Sequence, residues 1–203
     1  MTGNNAPLFI KATAMIRNQD GKVLLVQRAK NQRNADFWEF PGGKLNAGER
    51  VVEGLRRELQ EELNIFPIKY KFITLVKLGR YETYAYEVTQ FEGDIILKEH
   101  QAAQWVSLDM LKKYKLLPAE RIIRREILKR ETDSIISNLA KLYTRTPEYD
   151  KQTKKWYIEH IENGQPVKQY FSTQQEAFKE RFNAMNKKIT ELRTVLAIDI
   201  KGL

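Results

Sequence analysis

The stretch from Pro41 to Ile65, PGGKLNAGERVVEGLRRELQEELNI, constrains the fold of this chain more than any other. Its glycine pair at 42–43 is unsuited to the interior of a helix or strand, whereas the run after it favours a helix from about Arg50. Asn64 follows Leu63 at the position where a left-handed residue commonly ends a helix. The stretch therefore predicts a glycine loop joined directly to a helix that ends at Leu63.

Three glutamates of the predicted helix, Glu58, Glu61 and Glu62, stand at i, i+3 and i+4, so they project from one face. Like charges at this spacing repel by roughly 0.2–0.5 kcal/mol per pair, and a cation among the oxygens removes that cost. Carboxylate oxygens suit the hard cations Mg²⁺ or Mn²⁺. A solvated acidic helix face is the alternative, but it does not explain a glycine loop at a fixed distance from the glutamates.

The composition narrows the class of partner. The chain of 203 residues carries a net charge of +9, which favours phosphorylated small molecules or nucleic acid unless the excess only solvates a basic face. Cysteine is absent, so disulfides and thiolate metal sites are excluded. We find neither an apolar run of membrane-spanning length nor the pattern of a secretory signal, so we expect a cytoplasmic protein with no membrane partner.

Strand-like and helical segments mix without strict β-α-β alternation, which predicts an α+β fold with a mixed sheet between helices. The runs 8–16 and 23–26 predict one β-hairpin, and the runs 71–78 and 81–88 predict another. A long helix should then extend to about residue 142. We therefore expect a first domain over residues 1–142.

Residues 143–203 predict a separate small module, a β-hairpin or three strands packed on one helix. The hairpin turn is expected at Asn163-Gly164, and Thr173 with Glu176 forms the capping-box pattern that opens a helix. Apolar residues recur along this helix at steps of 4, 3, 4, 3 and 4, which fits intramolecular packing or a homodimeric coiled-coil seam: Phe178, Phe182, Met185, Ile189, Leu192 and Leu196.

The aromatic residues of this module, Trp156, Tyr157 and Tyr170, have lysines as neighbours. Such residues can stack on the bases of a nucleic acid and neutralise its phosphates. A small hairpin also needs aromatic side chains to pack on its helix, and we favour that interpretation. Nucleic acid is therefore a secondary prediction for the partner of this module.

Gly43, Glu49 and the run RELQEELNI at 57–65 have the spacing of the Nudix box, and the chain resembles that family from about residue 8 to residue 130. The segments FWEFPGGK, KEHQAAQW and LLPAE extend the similarity to MutT-like members. Asn64 departs from the glycine that the family usually carries, but asparagine also tolerates the left-handed conformation. The resemblance implies an α/β/α sandwich that hydrolyses a nucleoside diphosphate linkage with Mg²⁺, or alternatively Mn²⁺.

The resemblance also assigns the metal site. Glu58 and Glu62 are the first-choice ligands, and Glu61 joins them directly or through water. A backbone carbonyl of Gly42 or Gly43 can approach the metal because no Cβ obstructs it. Two further assignments concern charged residues around this centre: Glu99 as an additional carboxylate that binds metal or accepts the proton of water, and Glu49 with Arg57 as a brace between loop and helix.

The substrate residues follow from the same resemblance. Arg28 should contact the phosphates, and Lys44 either contacts them or is an exposed loop residue. Phe40 either stacks on the base or belongs to the core. Glu120 should face the base edge, and an ionised glutamate only accepts hydrogen bonds, so it favours an exposed amino group or an oxidised purine over plain guanine. The two histidines, His100 and His160, are expected to be ordinary surface or packing residues.

The most specific prediction is a hydrolase that converts an NTP or dNTP, including oxidised or modified dNTPs, to the monophosphate and pyrophosphate. ADP-ribose, dinucleotide polyphosphates and RNA 5′-triphosphates are alternative substrates within the same family. A different class is a regulatory protein in which the first domain senses a nucleotide and the second module binds nucleic acid.

Overall fold

The computed structural model describes residues 8–143, 146–162 and 165–201. The chain forms two compact units, residues 1–128 and residues 129–202, which divide inside a long helix. The domain boundary that we expected after residue 142 falls near the end of that same helix and stays a prediction. No helix in the described ranges is long and apolar enough to cross a membrane.

The first unit contains two sheets between helices. A four-stranded sheet has the order β4-β1-β6-β5, in which β1 and β6 run parallel and the other pairs antiparallel. A three-stranded antiparallel sheet has the order β3-β2-β7. The mixed α+β architecture is thus confirmed, with these elements: β1 Phe9–Ile16, β2 Val23–Gln27, β3 Trp38–Glu39, β4 Gly42–Lys44, α1 Val51–Leu63, β5 Phe66–Leu78, β6 Tyr81–Glu92, β7 Ala102–Val106, a 3₁₀ helix Leu108–Lys113 and α2 Pro118–Tyr143.

The central strand β1 separates two hydrophobic cores. Because successive side chains of a strand point to opposite faces, Ala12 and Ala14 join the core that contains Leu59 of α1. Met15 joins the other core, which contains Ile123 from the start of α2. This arrangement places the acidic helix α1 against one face of the central strand and the start of α2 against the other.

The predicted hairpin between β1 and β2 is wrong, although its turn forms. The amide of Asn18 donates to the carbonyl of Lys22 at 2.9 Å, but Arg17 and Val23 make only an isolated bridge. Both edges of β1 are already paired, one with β4 and one with β6. β2 therefore pairs with β3 and β7 in the second sheet.

The second unit contains a three-stranded antiparallel sheet of order β10-β9-β8, and α3 contacts β9 and β10. Its elements are β8 Glu148–Asp150, β9 Lys155–Glu162, β10 Gln165–Phe171 and α3 Gln174–Lys201. The capping box is confirmed, because the amide of Thr173 donates to the Glu176 carboxylate and the amide of Glu176 donates to Thr173 Oγ1, both at 3.2 Å. The expected Asn163-Gly164 turn lies outside the described residues.

The apolar stripe predicted along α3 does not coincide with its buried face. Phe178 and Phe182 are 43% and 59% exposed, whereas Ala177 and Arg181 are buried. The buried face at the start of α3 is therefore formed by Ala177 and Arg181 rather than by the two phenylalanines. The side chain of Leu196, the last member of the stripe, lies outside the described part of the chain.

Candidate active site

The glycine loop and α1 form one unit. α1 begins after Arg50 and ends at Asn64, whose φ of 60° is left-handed and whose amide donates to the carbonyl of Gln60 at 3.2 Å. The Gly42 amide donates to Glu62 Oε2 at 2.9 Å, which ties the loop to the last turn of the helix. The predicted helix and cap are therefore confirmed, whereas the glycine pair lies in the short strand β4, paired with β1, and the loop follows at residues 45–50.

Both glycines of the pair lie in close approach to other groups. A Cβ on Gly43 would overlap the carboxylate of Glu58, and one on Gly42 would overlap the backbone oxygen of Ala12. Gly42 also has a φ of 135°, which side-chain-bearing residues rarely adopt. The carboxylate of Glu58 thus lies directly against the loop.

Arg57 joins this loop to three carboxylates. Its Nε donates to Glu49 Oε1 at 2.8 Å, and its Nη1 donates to Glu58 Oε1 at 2.8 Å and to Glu61 Oε2 at 3.0 Å. Its Nη2 donates to the backbone oxygen of Lys44 at 2.9 Å. These bonds hold the pKa of Arg57 above its usual range and lower the pKa of Glu49. The structure thus brings together the residues expected to brace the loop.

Glu62 is a buried carboxylate, with 7% of its surface exposed. Burial raises the pKa of Glu62 to about 7, and the charges of Glu39 and Glu58 add to this effect, whereas His100 and the Gly42 amide oppose it. Burial also raises the pKa of Glu58, Arg57 opposes the rise, and the charges of Glu61 and Glu99 add to it. Five acidic residues, Glu39, Glu58, Glu61, Glu62 and Glu99, therefore lie close enough to influence one another's ionisation.

The acidic group is compatible with a hard divalent cation. Its donors are carboxylate oxygens on one helix face, beside a glycine loop that leaves room for close approach. Among the described residues, no three acidic or histidine side chains already converge as a complete ligand set. Arg57 binds one oxygen each of Glu58 and Glu61, so each carboxylate retains a second oxygen for another interaction.

Glu99 lies in an exposed loop that is tied to the end of α1. The amide of Lys98 donates to the backbone oxygen of Glu62 at 3.0 Å, and the amide of Ile96 donates to that of Leu63 at 2.9 Å. These bonds hold the loop close enough for the charge of Glu99 to raise the pKa of Glu58. Glu99 therefore lies near the acidic face, as the resemblance implied.

A cavity of about 490 Å³ lies beside the loop and contains six of the predicted site residues: Arg28, Gly42, Gly43, Lys44, Glu62 and Glu120. Lys11, Glu39 and His100 also line it, although the sequence analysis did not select them as site residues. Glu58, Glu61 and Glu99 are not part of this lining. Glu62 is therefore the acidic-helix residue that faces both the glycine loop and the cavity.

Arg28 is held by a carboxylate that sequence analysis missed. Its Nη1 donates to Glu39 Oε1 at 2.6 Å, and its Nε donates to the carbonyl of Arg33 at 2.8 Å. Glu39 is buried, and its charge is a signal that could have been recognised, since it interrupts the aromatic run FWEF. Although burial opposes ionisation, hydrogen bonds and the charges of Lys11 and Arg28 lower the pKa of Glu39.

Lys44 and Phe40 occupy different environments. Lys44 is exposed, and its Nζ lies 4.6 Å from the ring centroid of Phe9. Phe40 is 1% exposed and belongs to the core that contains Met15, so its predicted role in base stacking is wrong. The alternative of a core phenylalanine is the correct one.

Glu120 is also buried, with 2% exposure, at the first turn of α2. Its Oε2 has no hydrogen-bond partner among the described residues, although Glu120 lines the cavity. Burial raises the pKa of Glu120 to about 7, while the charge of Lys11 opposes the rise. A neutral carboxyl group both donates and accepts, so the expectation that Glu120 only accepts needs correction near neutral pH.

His100 is buried rather than on the surface, and it lies beside two carboxylates that the sequence analysis did not connect with it. Its side chain is 2% exposed, and its Nε2 lies 3.7 Å from Glu39 Oε1 and 3.9 Å from Glu62 Oε1. Its position next to Glu99 in KEHQAAQW is the signal that could have identified it. The fold creates this contact by bringing β3, α1 and the loop before β7 together.

The aromatic residues of the second unit are engaged with one another. The Tyr157 and Tyr170 ring centroids are 5.7 Å apart, and Lys168 Nζ lies 4.2 Å from the Tyr157 centroid. The Tyr170 hydroxyl donates to Asp150 at 3.2 Å. These contacts favour packing within the unit, and nucleic-acid binding stays a prediction.

The first unit sets an acidic helix beside a cavity lined by cationic side chains, and a metal ion held by carboxylates can polarise phosphoryl oxygens. Residues 7–130 match the family described as NUDIX domain, so the chain belongs to the Nudix family and is a hydrolase. Residues 131–203 lie outside this match. The fold assignment in the sequence analysis is confirmed by solved structures of the same family.

Three similar proteins indicate the branch of the family. A CTP pyrophosphohydrolase of Escherichia coli is 36% identical over 116 residues, which cover 55% of this chain and 86% of the relative. An 8-oxo-dGTP diphosphatase of Haemophilus influenzae is 33% identical over 131 residues, covering 62% and 94%. The crystal structure of a MutT protein from Methanosarcina mazei is 31% identical with a TM-score of 0.54, covering 64% and 98%.

Proposed function

We propose that this chain is a divalent-metal-dependent nucleotide diphosphatase that converts an NTP or dNTP to the monophosphate and pyrophosphate. The observation that carries the proposal is the cavity, in which the buried Glu62 and the glycine loop meet the cationic side chains Arg28 and Lys44. Arginine and lysine bind phosphate oxygens, and a buried carboxylate favours a hard cation. The relatives named for CTP and 8-oxo-dGTP support a triphosphate substrate.

Glu58, Glu61 and Glu62 would hold Mg²⁺ or Mn²⁺, together with a carbonyl of Gly42 or Gly43. A bound cation neutralises phosphate charge and lowers the pKa of water. Glu99, exposed beside this face, would bind metal or accept the proton of the attacking water. By similarity to MutT-like enzymes, water attacks the β-phosphorus.

The remaining charged residues orient these groups. Arg57 fixes the carboxylates of Glu58 and Glu61, and the Gly42 amide fixes that of Glu62. Arg28, aimed by its bond to Glu39, would bind the phosphates, and Lys44 would assist from the rim of the loop. Most of the catalysis would then come from positioning and electrostatic stabilisation.

The base would lie against Lys11 and Glu120, which line the same cavity. Lys11 supplies a donor, and Glu120 supplies an oxygen that has no partner among the described residues. Cytosine offers an amino group and ring acceptors, so it matches this pair, as do adenine and an oxidised purine edge. Unchanged ranking of dNTPs by kcat/KM in Glu120→Gln would show that Glu120 does not select the base.

The test is a substrate panel with Mg²⁺ that includes CTP, the four dNTPs, 8-oxo-dGTP, ADP-ribose, a dinucleotide polyphosphate and a 5′-triphosphorylated RNA. We expect a triphosphate to be the best substrate.

Glu61→Gln and Glu62→Gln should lower kcat by orders of magnitude without unfolding the chain. Glu53→Gln is the matched control, because this exposed α1 glutamate lies away from the cavity and glutamine preserves its capping bond to Arg50. Full activity in both site variants would refute the metal assignment.

A further inference from the structure

His100 lies between two buried carboxylates that belong to different parts of the fold. Its Nε2 is 3.7 Å from Oε1 of Glu39, in β3, and 3.9 Å from Oε1 of Glu62, in α1. The side chains of these three residues are 2%, 5% and 9% exposed. All three line the cavity, so this contact forms part of its wall.

His100 can stabilise the two carboxylates only as a donor. An ionised carboxylate accepts hydrogen bonds but cannot donate them, so a nitrogen between two carboxylates is favourable when it carries its hydrogen. The other ring nitrogen, Nδ1, is buried without a hydrogen-bond partner among the described residues. Glu39 and Glu62, at ion-pair rather than hydrogen-bond distance, are thus the charged groups nearest to the other nitrogen of the ring.

The same two carboxylates also bind groups at opposite ends of the proposed site. Glu39 binds Arg28 Nη1 at 2.6 Å, and Glu62 Oε2 accepts the amide of Gly42 at 2.9 Å. His100 contacts the Oε1 atom of each glutamate, so it connects the arginine at the phosphate end with the carboxylate at the loop. The charges of Glu39 and Glu62 would repel each other without a donor between them.

We propose that His100 is a positioning residue that holds the Glu62 carboxylate in its metal-binding orientation and aligns it with the Glu39–Arg28 pair. Partners of ligating carboxylates commonly change metal affinity or activity by about 10–100-fold when they are removed. This inference rests on the proposed function, since it requires that Glu62 binds the cation.

The experiment measures Mn²⁺ affinity by electron paramagnetic resonance in the full chain, together with kcat and KM. His100→Ala and His100→Leu remove the donor, whereas His100→Gln keeps an amide N–H at about the reach of Nε2. We expect Ala and Leu to weaken Mn²⁺ binding about 10–100-fold and to lower kcat more than they raise KM. His100→Gln should restore most of the Mn²⁺ affinity and most of kcat. His160→Gln, in β9 of the second unit, is the matched control and should bind Mn²⁺ as the wild type does.

The outcomes separate the two proposals. If the wild type binds no Mn²⁺, the metal site itself is wrong. If the wild type binds it and His100→Leu binds it equally well, only the role of His100 is wrong. Loss of thermal stability with unchanged Mn²⁺ affinity in the folded variant would likewise overturn the proposal, because it indicates a structural role alone.

A measurement on the unaltered ring covers the case in which the variants do not fold. The chain has two histidines, so imidazole ¹⁵N resonances can be assigned with His160→Gln. During a Mg²⁺ titration, the His100 resonances should shift with the same midpoint as metal binding, and those of His160 should not. His100 resonances that stay fixed while Mg²⁺ binds would contradict the proposal.

Discussion

Replacing Glu120 with glutamine should make the first unit less sensitive to pH. Glu120 is 2% exposed, and burial raises its pKa from 4.5 to about 7. Between these two values the folded state holds a proton that the unfolded state has released. The stabilisation is therefore complete below pH 4.5 and is lost as the pH rises through 7.

The size of the effect follows from the shift. Each pKa unit corresponds to about 1.4 kcal/mol, so the rise from 4.5 to about 7 represents on the order of 3 kcal/mol. Glutamine resembles the neutral carboxyl group and does not titrate. Relative to their difference below pH 4.5, Glu120→Gln should gain on the wild type by less than about 1 kcal/mol at pH 5 and by roughly 3 kcal/mol at pH 8.

The assay is urea unfolding at pH 5, 6, 7 and 8 in metal-free buffer. A Trp156→Phe background confines tryptophan fluorescence to Trp38 and Trp105, which both belong to the first unit. Glu62 titrates in the same range in both proteins, so the difference between them isolates Glu120. Parallel stability profiles for the two proteins would refute the raised pKa of Glu120 and, with it, the neutral carboxyl group near neutral pH.

Two further substitutions test the loop and the core. Gly43→Ala should abolish most activity because the new Cβ displaces the Glu58 carboxylate. Gly48→Asn is the control and should retain activity, because Gly48 lies in open space at a left-handed φ that asparagine tolerates. Equal activity of the two variants in steady-state assays would contradict the close approach. Phe40→Leu should lower the free energy of unfolding by roughly 0.5–3 kcal/mol without changing the dNTP ranking, and an altered ranking would restore its role at the base.

Local signals made the acidic helix predictable. The left-handed cap at Asn64 and the helix Val51–Leu63 depend on neighbouring residues, so residue type and spacing determine them. The same holds for the Thr173–Glu176 capping box. The ion pair of Arg57 with Glu61 was also foreseeable, because the two residues are four apart on the same helix, whereas the pairing with Glu49 followed from the family resemblance.

Contacts between distant segments were not predictable in this way. β1 and β2 separate into different sheets because β4 and β6, both later in the chain, take the two edges of β1. His100 meets Glu39 and Glu62 only after three segments come together. The accessibility of the Phe40 ring and the charge of the Glu120 carboxyl group both depend on burial, which the sequence does not determine locally. Homodimer formation and nucleic-acid binding stay predictions.

The most direct test of the proposed reaction is hydrolysis of the best triphosphate in H₂¹⁸O with Mg²⁺, followed by mass spectrometry of both products. Attack of water on the β-phosphorus predicts the nucleoside monophosphate without label and pyrophosphate with one ¹⁸O. The same products should disappear with Glu62→Gln. Release of orthophosphate, label in the monophosphate, or unchanged turnover in Glu62→Gln would contradict the proposal.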